Sequence, residues 1–168
     1  MEFSMVAPIF LLMMFSTFEV GWFFYANSIV DASVAEAARL VKTGQIQQMA
    51  GTEQQKFDVI YDTLCDILDA FGACNTSLTV EVQKYATFSD LAADTTAPTC
   101  ADAPPANVSA IPFVPGDQLE IVRVRVCYIY NTINPAIGIN LSEPGTSKRR
   151  LISSMIFRNE PYQTGATP

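Results

Sequence analysis

The sequence contains no histidine among its 168 residues. This absence removes the side chain most often used as a general base and as a metal ligand, and it excludes Ser-His and Cys-His catalytic arrangements. No GxSxG, SxxK, HExxH or glycine-rich phosphate loop occurs either. The sequence therefore argues against an enzyme and calls for no metal or cofactor.

Basic residues are also scarce, with ten Lys and Arg against 17 Asp and Glu. None of the ten precedes Arg39, and the only basic run is Lys148-Arg149-Arg150. A nucleic-acid-binding protein needs clustered cations to displace counterions from phosphates, so the charge balance argues against nucleic acid as a partner. Because charge runs usually lie at the surface, we expect the basic run to be a solvated turn before a strand.

The first thirty residues are almost wholly apolar, and Glu2 and Glu19 are their only charged side chains. As a helix, residues 3–30 would be about 42 Å long, which is ample for a hydrocarbon core of about 30 Å. Pro8 lies inside this segment, where it removes one helix hydrogen bond. We therefore expect a transmembrane helix at residues 1–30, with Glu19 near one membrane face, and an exported domain at residues 31–168.

Three interpretations of the apolar segment compete. A cleaved secretory signal fits poorly because there is no basic region before an apolar run that is itself too long. A plain signal anchor, which would carry a periplasmic binding module or adhesin, inverts the positive-inside rule. Both difficulties disappear if a basic leader once preceded Met1, so we expect Met1 to lie at or near a processed end. The third interpretation is a pilin-type helix.

Four cysteines follow the apolar segment, and none of them forms a CxxC pair. An even number behind a membrane anchor favours two disulfides in an oxidising compartment, although three pairings are open. We favour Cys65–Cys74, because a short loop there joins a helix end to the next strand, which leaves Cys100–Cys127. Reduced, buried cysteines are the alternative.

The remaining segments predict an α+β fold. The first helix continues past the membrane towards Gln48, with Gly44 and Gly51 as its two candidate ends. A second helix begins at a capping box formed by Thr52 and Gln55. An apolar stripe from Phe57 to Phe71 marks the buried face of this second helix. Alternating residues predict a small antiparallel sheet of about three strands, near residues 77–83, 119–130 and 151–157, with long loops at about 90–116 and 131–147.

Three sequence motifs resemble one known family. The amino terminus MEFSMVAPIFLLMMFSTFEVGW carries Glu2-Phe3, Ala7-Pro8 and Glu19-x-Gly21, which are typical of TadE-like pseudopilins of the tight-adherence (Flp/Tad) pilus system. The stretch AEAARLVKTGQIQ is similar to the Ala-Arg-rich helix of that family, and RNEPY is similar to its carboxy-terminal signature. The family-like positions in these two motifs are Arg39, Gly44, Gln45, Arg158, Glu160, Pro161 and Tyr162.

The resemblance implies a non-enzymatic minor pilin of the Tad (type IVc-like) pilus, needed for pilus assembly and for tip or surface adhesion. It implies processing by a prepilin peptidase and an assembly helix that contains Glu2, Phe3, Pro8 and Glu19. Glu2 would neutralise the free terminal amine of a neighbouring subunit. The expected partners are other Tad pilins, including a TadF-type minor pseudopilin and the major pilin.

The same resemblance implies a subunit in the bacterial inner membrane before assembly. Its exported domain would lie in the periplasm, or outside the cell as part of the pilus. Two features depart from the family pattern. Trp22 stands where an Arg is common, so Glu19 lacks an obvious partner in its own helix, and Cys100 and Cys127 form an extra pair.

Overall fold

The computed structural model describes residues 2–69, 74–101, 111–132 and 139–162 of the chain. It contains a long amino-terminal helix, further helices and a three-stranded antiparallel sheet, which confirms the predicted α+β class. In chain order the elements are α1 (Glu2–Lys42), α2 (Gln45–Gln48), α3 (Glu53–Leu68), α4 (Cys74–Ser77), β1 (Leu78–Tyr85), α5 (Phe88–Ala93), β2 (Ile121–Asn131) and β3 (Lys148–Arg158).

Helix α1 has 41 residues and is about 60 Å long. It continues through Pro8, and its environment changes along its length. Residues 3–15 are mostly exposed, whereas from Ser16 onward one face is buried against the rest of the protein. The buried side chains recur every three or four positions, as one face of a helix requires: Ser16, Glu19, Ala26, Val30, Ser33, Val34, Ala37, Ala38 and Val41.

The first helix ends at Lys42, next to Gly44, which is the earlier of the two ends that the sequence predicted. Gly44 has a φ of 78°, a left-handed conformation that glycine adopts without steric cost, and it separates α1 from the short helix α2. The predicted boundary between residues 1–30 and 31–168 stays a prediction, because α1 passes through residue 30 without a break.

Helix α3 begins at the capping box that the sequence predicted. The Thr52 side chain accepts a hydrogen bond from the Gln55 backbone N–H, and the Gln55 side chain accepts one from the Thr52 N–H. Its apolar stripe is buried in the core: Phe57, Ile60, Leu64 and Leu68. The predicted end of the stripe, residues 71–72, lies outside the described residues.

The sheet has the order β1-β2-β3, and both pairings are antiparallel. In the register Val80 lies opposite Val126, and Val124 lies opposite Met155, so the inner face is apolar. This face packs with α1 and α3 into one core. Most of the predicted strand bounds are correct within two residues, but β3 begins at Lys148 rather than near Leu151.

Part of the first predicted loop covers the outer face of β1 and β2, whereas Ile152 and Ile156 on the outer face of β3 are about half exposed. Arg125 donates one hydrogen bond to Glu81 Oε2 at 2.6 Å and another to the carbonyl oxygen of Thr96 at 2.7 Å. This loop is less irregular than expected, because it contains α5 and an extended bridge between Phe113 and Val82. Residues 102–110 of this loop and 133–138 of the second loop lie outside the described residues.

Two disulfides are formed, and they join the pairs that the sequence favoured. Cys65–Cys74, here called the helix disulfide, links α3 to α4 across nine positions. Cys100–Cys127, here called the loop disulfide, spans 27 positions and ties the covering loop to β2. The loop disulfide therefore holds the chain over the ion pair of Glu81 and Arg125, whose side chains are both at least nine-tenths buried.

Candidate functional site

The amino-terminal part of α1, residues 3–15, presents an apolar surface that no described part of the chain covers. Its side chains are exposed on several sides of the helix, including Phe3 (84 %), Phe10 (63 %) and Met13 (64 %). Exposed apolar patches of this extent mark interaction surfaces for proteins or membranes. We call residues 3–15 the apolar segment.

Length and composition make α1 the one helix among the described residues that could cross a membrane. Only 11 % of its most apolar stretch is buried inside the protein. The core helix of a soluble protein would instead be mostly buried. The apolar segment therefore has the exposure that contact with lipid or with other apolar helices requires.

Three of the four predicted assembly residues can be placed. Phe3 and Pro8 are exposed on the apolar segment. Glu19 lies just beyond this segment and is buried. Glu2 begins the helix, but its side chain lies outside what the structure describes, so its assembly role stays a prediction.

Glu19 is only 2 % exposed, at the level where α1 first meets the folded domain. The charges of Glu19 and of Arg149 on β3 both shift the pKa of the Tyr130 hydroxyl on β2. Burial is the main cause that raises the pKa of Tyr130, the Glu19 carboxylate raises this pKa further, and the Arg149 guanidinium lowers it. Tyr130 therefore lies near both charged side chains.

Arg149 is held against α1 by two further contacts. Its guanidinium carbon lies 5.6 Å from the centre of the Phe23 ring, and it donates a hydrogen bond to the carbonyl oxygen of Leu141 at 3.2 Å. A buried carboxylate is costly unless a cation or hydrogen-bond donors compensate it. Arg149 of β3 therefore brings a positive charge to Phe23, about one helical turn above the buried Glu19.

The loop before β3 reaches α1 about one turn below Glu19. Ser16 Oγ accepts a hydrogen bond from the backbone N–H of Ile139 at 3.3 Å and donates one to the carbonyl oxygen of Leu12 at 2.8 Å. From this point β3 runs beside α1, with Arg149 next to Phe23 at its start. The folded domain therefore packs against α1 from Ser16 to the carboxy-terminal end of the helix and leaves the apolar segment uncovered.

The two family-like motifs in the domain meet at the other end of α1. The backbone N–H of Glu160 donates to the carbonyl oxygen of Lys42 at 2.9 Å, and the Glu160 carboxylate lies 3.4 Å from Lys42 Nζ. The Tyr162 ring packs on Gly44, where an added Cβ would lie 2.3 Å from Tyr162 Cδ1. We call this contact between residues 158–162 and 42–44 the carboxy-terminal clasp.

The residues inside the clasp are bonded to the chain that precedes β2. Asn159, which is 1 % exposed, donates through its side-chain amide to the carbonyl oxygens of Pro115 and Asp117. Arg158 Nε donates to the carbonyl oxygen of Leu119 at 2.6 Å. Burial is the main cause that raises the pKa of Tyr162. The carboxy-terminal motif thus closes the domain on the end of α1.

The other family-like positions make local contacts. Arg39 forms an exposed ion pair with Glu36, one helical turn earlier, and this pairing holds the pKa of Glu36 below its usual range. Gln45 donates to Thr43 Oγ1 at 3.0 Å, and Pro161 is exposed. Within the described ranges, no group of three or more Cys, Asp or Glu residues could hold a metal ion.

These features define a class of protein: an α+β domain that is mounted on one long helix, which is itself long and apolar enough to cross a membrane. Residues 1–39 match the family of TadE-like proteins, which confirms the resemblance predicted from the sequence for this segment. The match ends before the Thr-Gly-Gln and Arg-Asn-Glu-Pro-Tyr motifs, which it does not cover. No curated protein and no solved structure matches the chain. The family match suggests a component of the Tad pilus, anchored in a membrane by α1.

Proposed function

We propose that this chain is a non-enzymatic minor pilin of the Tad pilus, which is anchored in the inner membrane and then incorporated into a pilus-related assembly. The observation that carries this proposal is the contrast between the two parts of α1. The apolar segment is exposed, whereas the rest of the helix is packed against the domain of its own chain. A subunit of this shape can exchange lipid for neighbouring helices without unfolding its domain.

The apolar segment is suited to both environments. Lipid tails and apolar helices are equally apolar, so transfer between them depends on close packing and on the pairing of polar groups. Glu2, at the start of the helix, supplies a charge that is costly in hydrocarbon unless it is paired. In the proposed assembly it neutralises the terminal amine of a neighbouring subunit, after a prepilin peptidase has exposed that amine.

The buried position of Glu19 supports different roles for Glu2 and Glu19. Glu19 is buried within its own domain near Tyr130, so its carboxylate is not exposed to a neighbouring subunit. Glu2 is then the acid assigned to assembly with other Tad pilins, including a TadF-type pseudopilin and the major pilin. The exported domain would carry the loops that face the periplasm or, in a pilus, the outside.

The proposal is tested by Glu2→Ala in the strain that produces the pilus, with Glu53→Ala as a matched control. Glu53 is an exposed acid in the first turn of α3, far along the chain from the assembly helix. We expect Glu2→Ala to abolish piliation and co-purification with other pilins at an unchanged amount of membrane-bound protein, while Glu53→Ala leaves both intact. Normal piliation in Glu2→Ala would instead favour a plain anchor that carries a periplasmic binding module or adhesin.

Mass spectrometry of the amino terminus from native membranes tests the processing step. We expect a mature end within a few residues of Glu2, as prepilin peptidase cleavage requires. A long basic segment retained before Met1 would contradict the proposal.

A further inference from the structure

The two edges of the sheet differ in how the chain covers them. On β1, the backbone N–H of Val82 donates to the carbonyl oxygen of Pro112 at 2.9 Å, and the carbonyl oxygen of Val82 accepts from the Val114 N–H at 2.7 Å. A short segment around Phe113 therefore pairs with the edge of β1. Within the described residues, no segment forms backbone hydrogen bonds with the outer edge of β3 over residues 150–158.

The register of β2 and β3 shows which backbone groups face this outer edge. The Thr132 N–H donates to the carbonyl oxygen of Ser147, and the Asn159 N–H donates to the carbonyl oxygen of Glu120. Hydrogen-bonded positions alternate along an antiparallel pair, so the odd-numbered residues of β3 are bonded to β2. The N–H and C=O groups of the even-numbered residues from 150 to 158 therefore point away from the sheet.

Strand β3 lacks the features that usually protect an edge strand. Edges are commonly blocked by proline, by bulges, by charged side chains or by a short strand length. β3 pairs with β2 without a break over eleven residues, and residues 151–157 contain no charge, glycine or proline. Ile152 and Ile156 are 51 % and 46 % exposed on its outer face. An apolar edge of this length is a template with which another strand can pair.

The charges at the ends of this edge argue against a second copy of the chain as its occupant. An antiparallel copy that placed its isoleucines beside Ile152 and Ile156 would also place Arg150 opposite Arg158 of the other copy. A parallel copy in register would place each arginine next to its equivalent. Like charges on neighbouring strands are destabilising. The charges therefore favour an occupant that carries an acidic side chain in place of an arginine.

Arg158 is the cation that such an acidic side chain can reach. It is exposed, its Nε donates to the carbonyl oxygen of Leu119, and it forms no ion pair among the described residues. Arg150, in contrast, is already bonded to Glu143 at 2.7 Å. The complementary strand thus has one acidic residue beside Arg158 and apolar residues beside the two isoleucines.

We propose that the outer edge of β3 from Arg150 to Arg158, here called the open edge, binds an extended segment of another protein as an additional antiparallel strand. This segment carries apolar residues beside Ile152 and Ile156 and an acidic residue beside Arg158. Main-chain hydrogen bonds to the open edge supply affinity, and side chains at alternate positions supply specificity. The proposal goes beyond the proposed function and does not depend on the membrane placement of α1, because the open edge lies on the domain.

A synthetic peptide that matches this description is the probe. Its sequence is Glu-Thr-Val-Thr-Ser-Thr-Val-Thr-Ser, so the glutamate lies beside Arg158 and the valines lie beside Ile156 and Ile152. A control peptide has the same side chains but carries methyl groups on both valine amides, which then cannot donate to the open edge. Fluorescence anisotropy of the labelled peptides measures binding to the full chain in detergent. We expect the control to bind about 30-fold more weakly, since two main-chain hydrogen bonds are lost.

Hydrogen exchange locates the bound strand. In the free chain, the outward amides of Ile152, Ser154 and Ile156 should exchange faster than those of Ser153 and Met155, which are bonded to β2. With the probe at about ten times its dissociation constant, exchange of the three outward amides should slow about elevenfold, because only the unbound fraction exchanges. A probe that does not bind, a control peptide that binds equally well, or unchanged exchange at these amides would overturn the proposal.

Two protein variants test the side-chain contacts. Ile152→Lys places a charge on the open edge, and its matched control, Val59→Lys, places one on an α3 side chain that is 38 % exposed. We expect about fivefold weaker binding of the probe to Ile152→Lys and unchanged binding to the control. A probe with lysine in place of glutamate should bind the native chain about fivefold more weakly, and this difference should disappear in Arg158→Gln.

The remaining outcomes also decide the proposal. Equal binding by the two lysine variants, or a difference between the two probes that persists in Arg158→Gln, would contradict the side-chain contacts. Slow exchange of the outward amides without any peptide, in a chain that sediments as a dimer, would assign the open edge to a second copy and overturn the proposal.

Discussion

Replacing Gly44 by alanine tests whether the carboxy-terminal clasp holds the domain closed on α1. Gly44 has a φ of 78°, and a Cβ at this position would meet three ring atoms of Tyr162 within 2.8 Å. Left-handed backbone costs a residue with a side chain about 1–2 kcal/mol. The ring must also move away, and half the contact area of a tyrosine contributes about 2 kcal/mol. We therefore expect a loss of about 3–4 kcal/mol in the free energy of unfolding.

Gly145 is a control with nearly the same backbone. Its φ is 80°, but nothing lies within 4 Å of the position that a Cβ would occupy. Gly145→Ala should therefore cost only the backbone strain of about 1–2 kcal/mol. Thermal unfolding of the full chain in detergent, followed by circular dichroism, should separate the two variants by about 4–8 °C.

A double-mutant cycle with Tyr162→Ala isolates the clasp. Without the ring, Gly44→Ala should cost no more than Gly145→Ala, since only the backbone strain is left. Equal costs of Gly44→Ala with and without Tyr162, or equal costs at the two glycines of the native chain, would refute the reasoning. The ring would then not be packed on Gly44 in solution.

Two further predictions concern the remaining tertiary contacts. Loss of the loop disulfide in Cys100→Ser/Cys127→Ser should lower the free energy of unfolding by about 3.6 kcal/mol, against about 2.7 kcal/mol for the shorter helix disulfide, because a longer closed loop restricts the unfolded chain more. Urea denaturation of both paired variants checks this order, and the reverse order would contradict it. Arg149→Met should cost about 2 kcal/mol, because it removes the guanidinium that lies over the Phe23 ring and donates to the carbonyl oxygen of Leu141. Lys84→Met, which removes an exposed cation from β1, should cost less than about 1 kcal/mol in the same assay, and equal losses in the two variants would contradict the contact.

Local patterns in the sequence were sufficient for much of the fold. The capping box of Thr52 and Gln55 placed the start of α3, because a cap depends on residues three positions apart. The alternation around Val122, Val124 and Val126 placed β2 and its buried face, because side chains alternate along a strand. The start of β3 was predicted wrongly. Lys148-Arg149-Arg150 is a run of charges, which is typical of a solvated turn, but the structure pairs these residues with β2.

The apolar segment is the part of the candidate site that the sequence determined by itself. A run of apolar residues needs no partner segment to be recognised as a surface for lipid or for other helices. The family match, over residues 1–39, includes this segment. Contacts between distant segments were decided only by the tertiary structure. Packing of β3 and the residues after it along α1 brings Arg149 over the Phe23 ring and Tyr162 onto Gly44. Neither contact has a signal in the spacing of the sequence, because periodicity describes one element at a time, whereas these contacts depend on how two elements lie against each other.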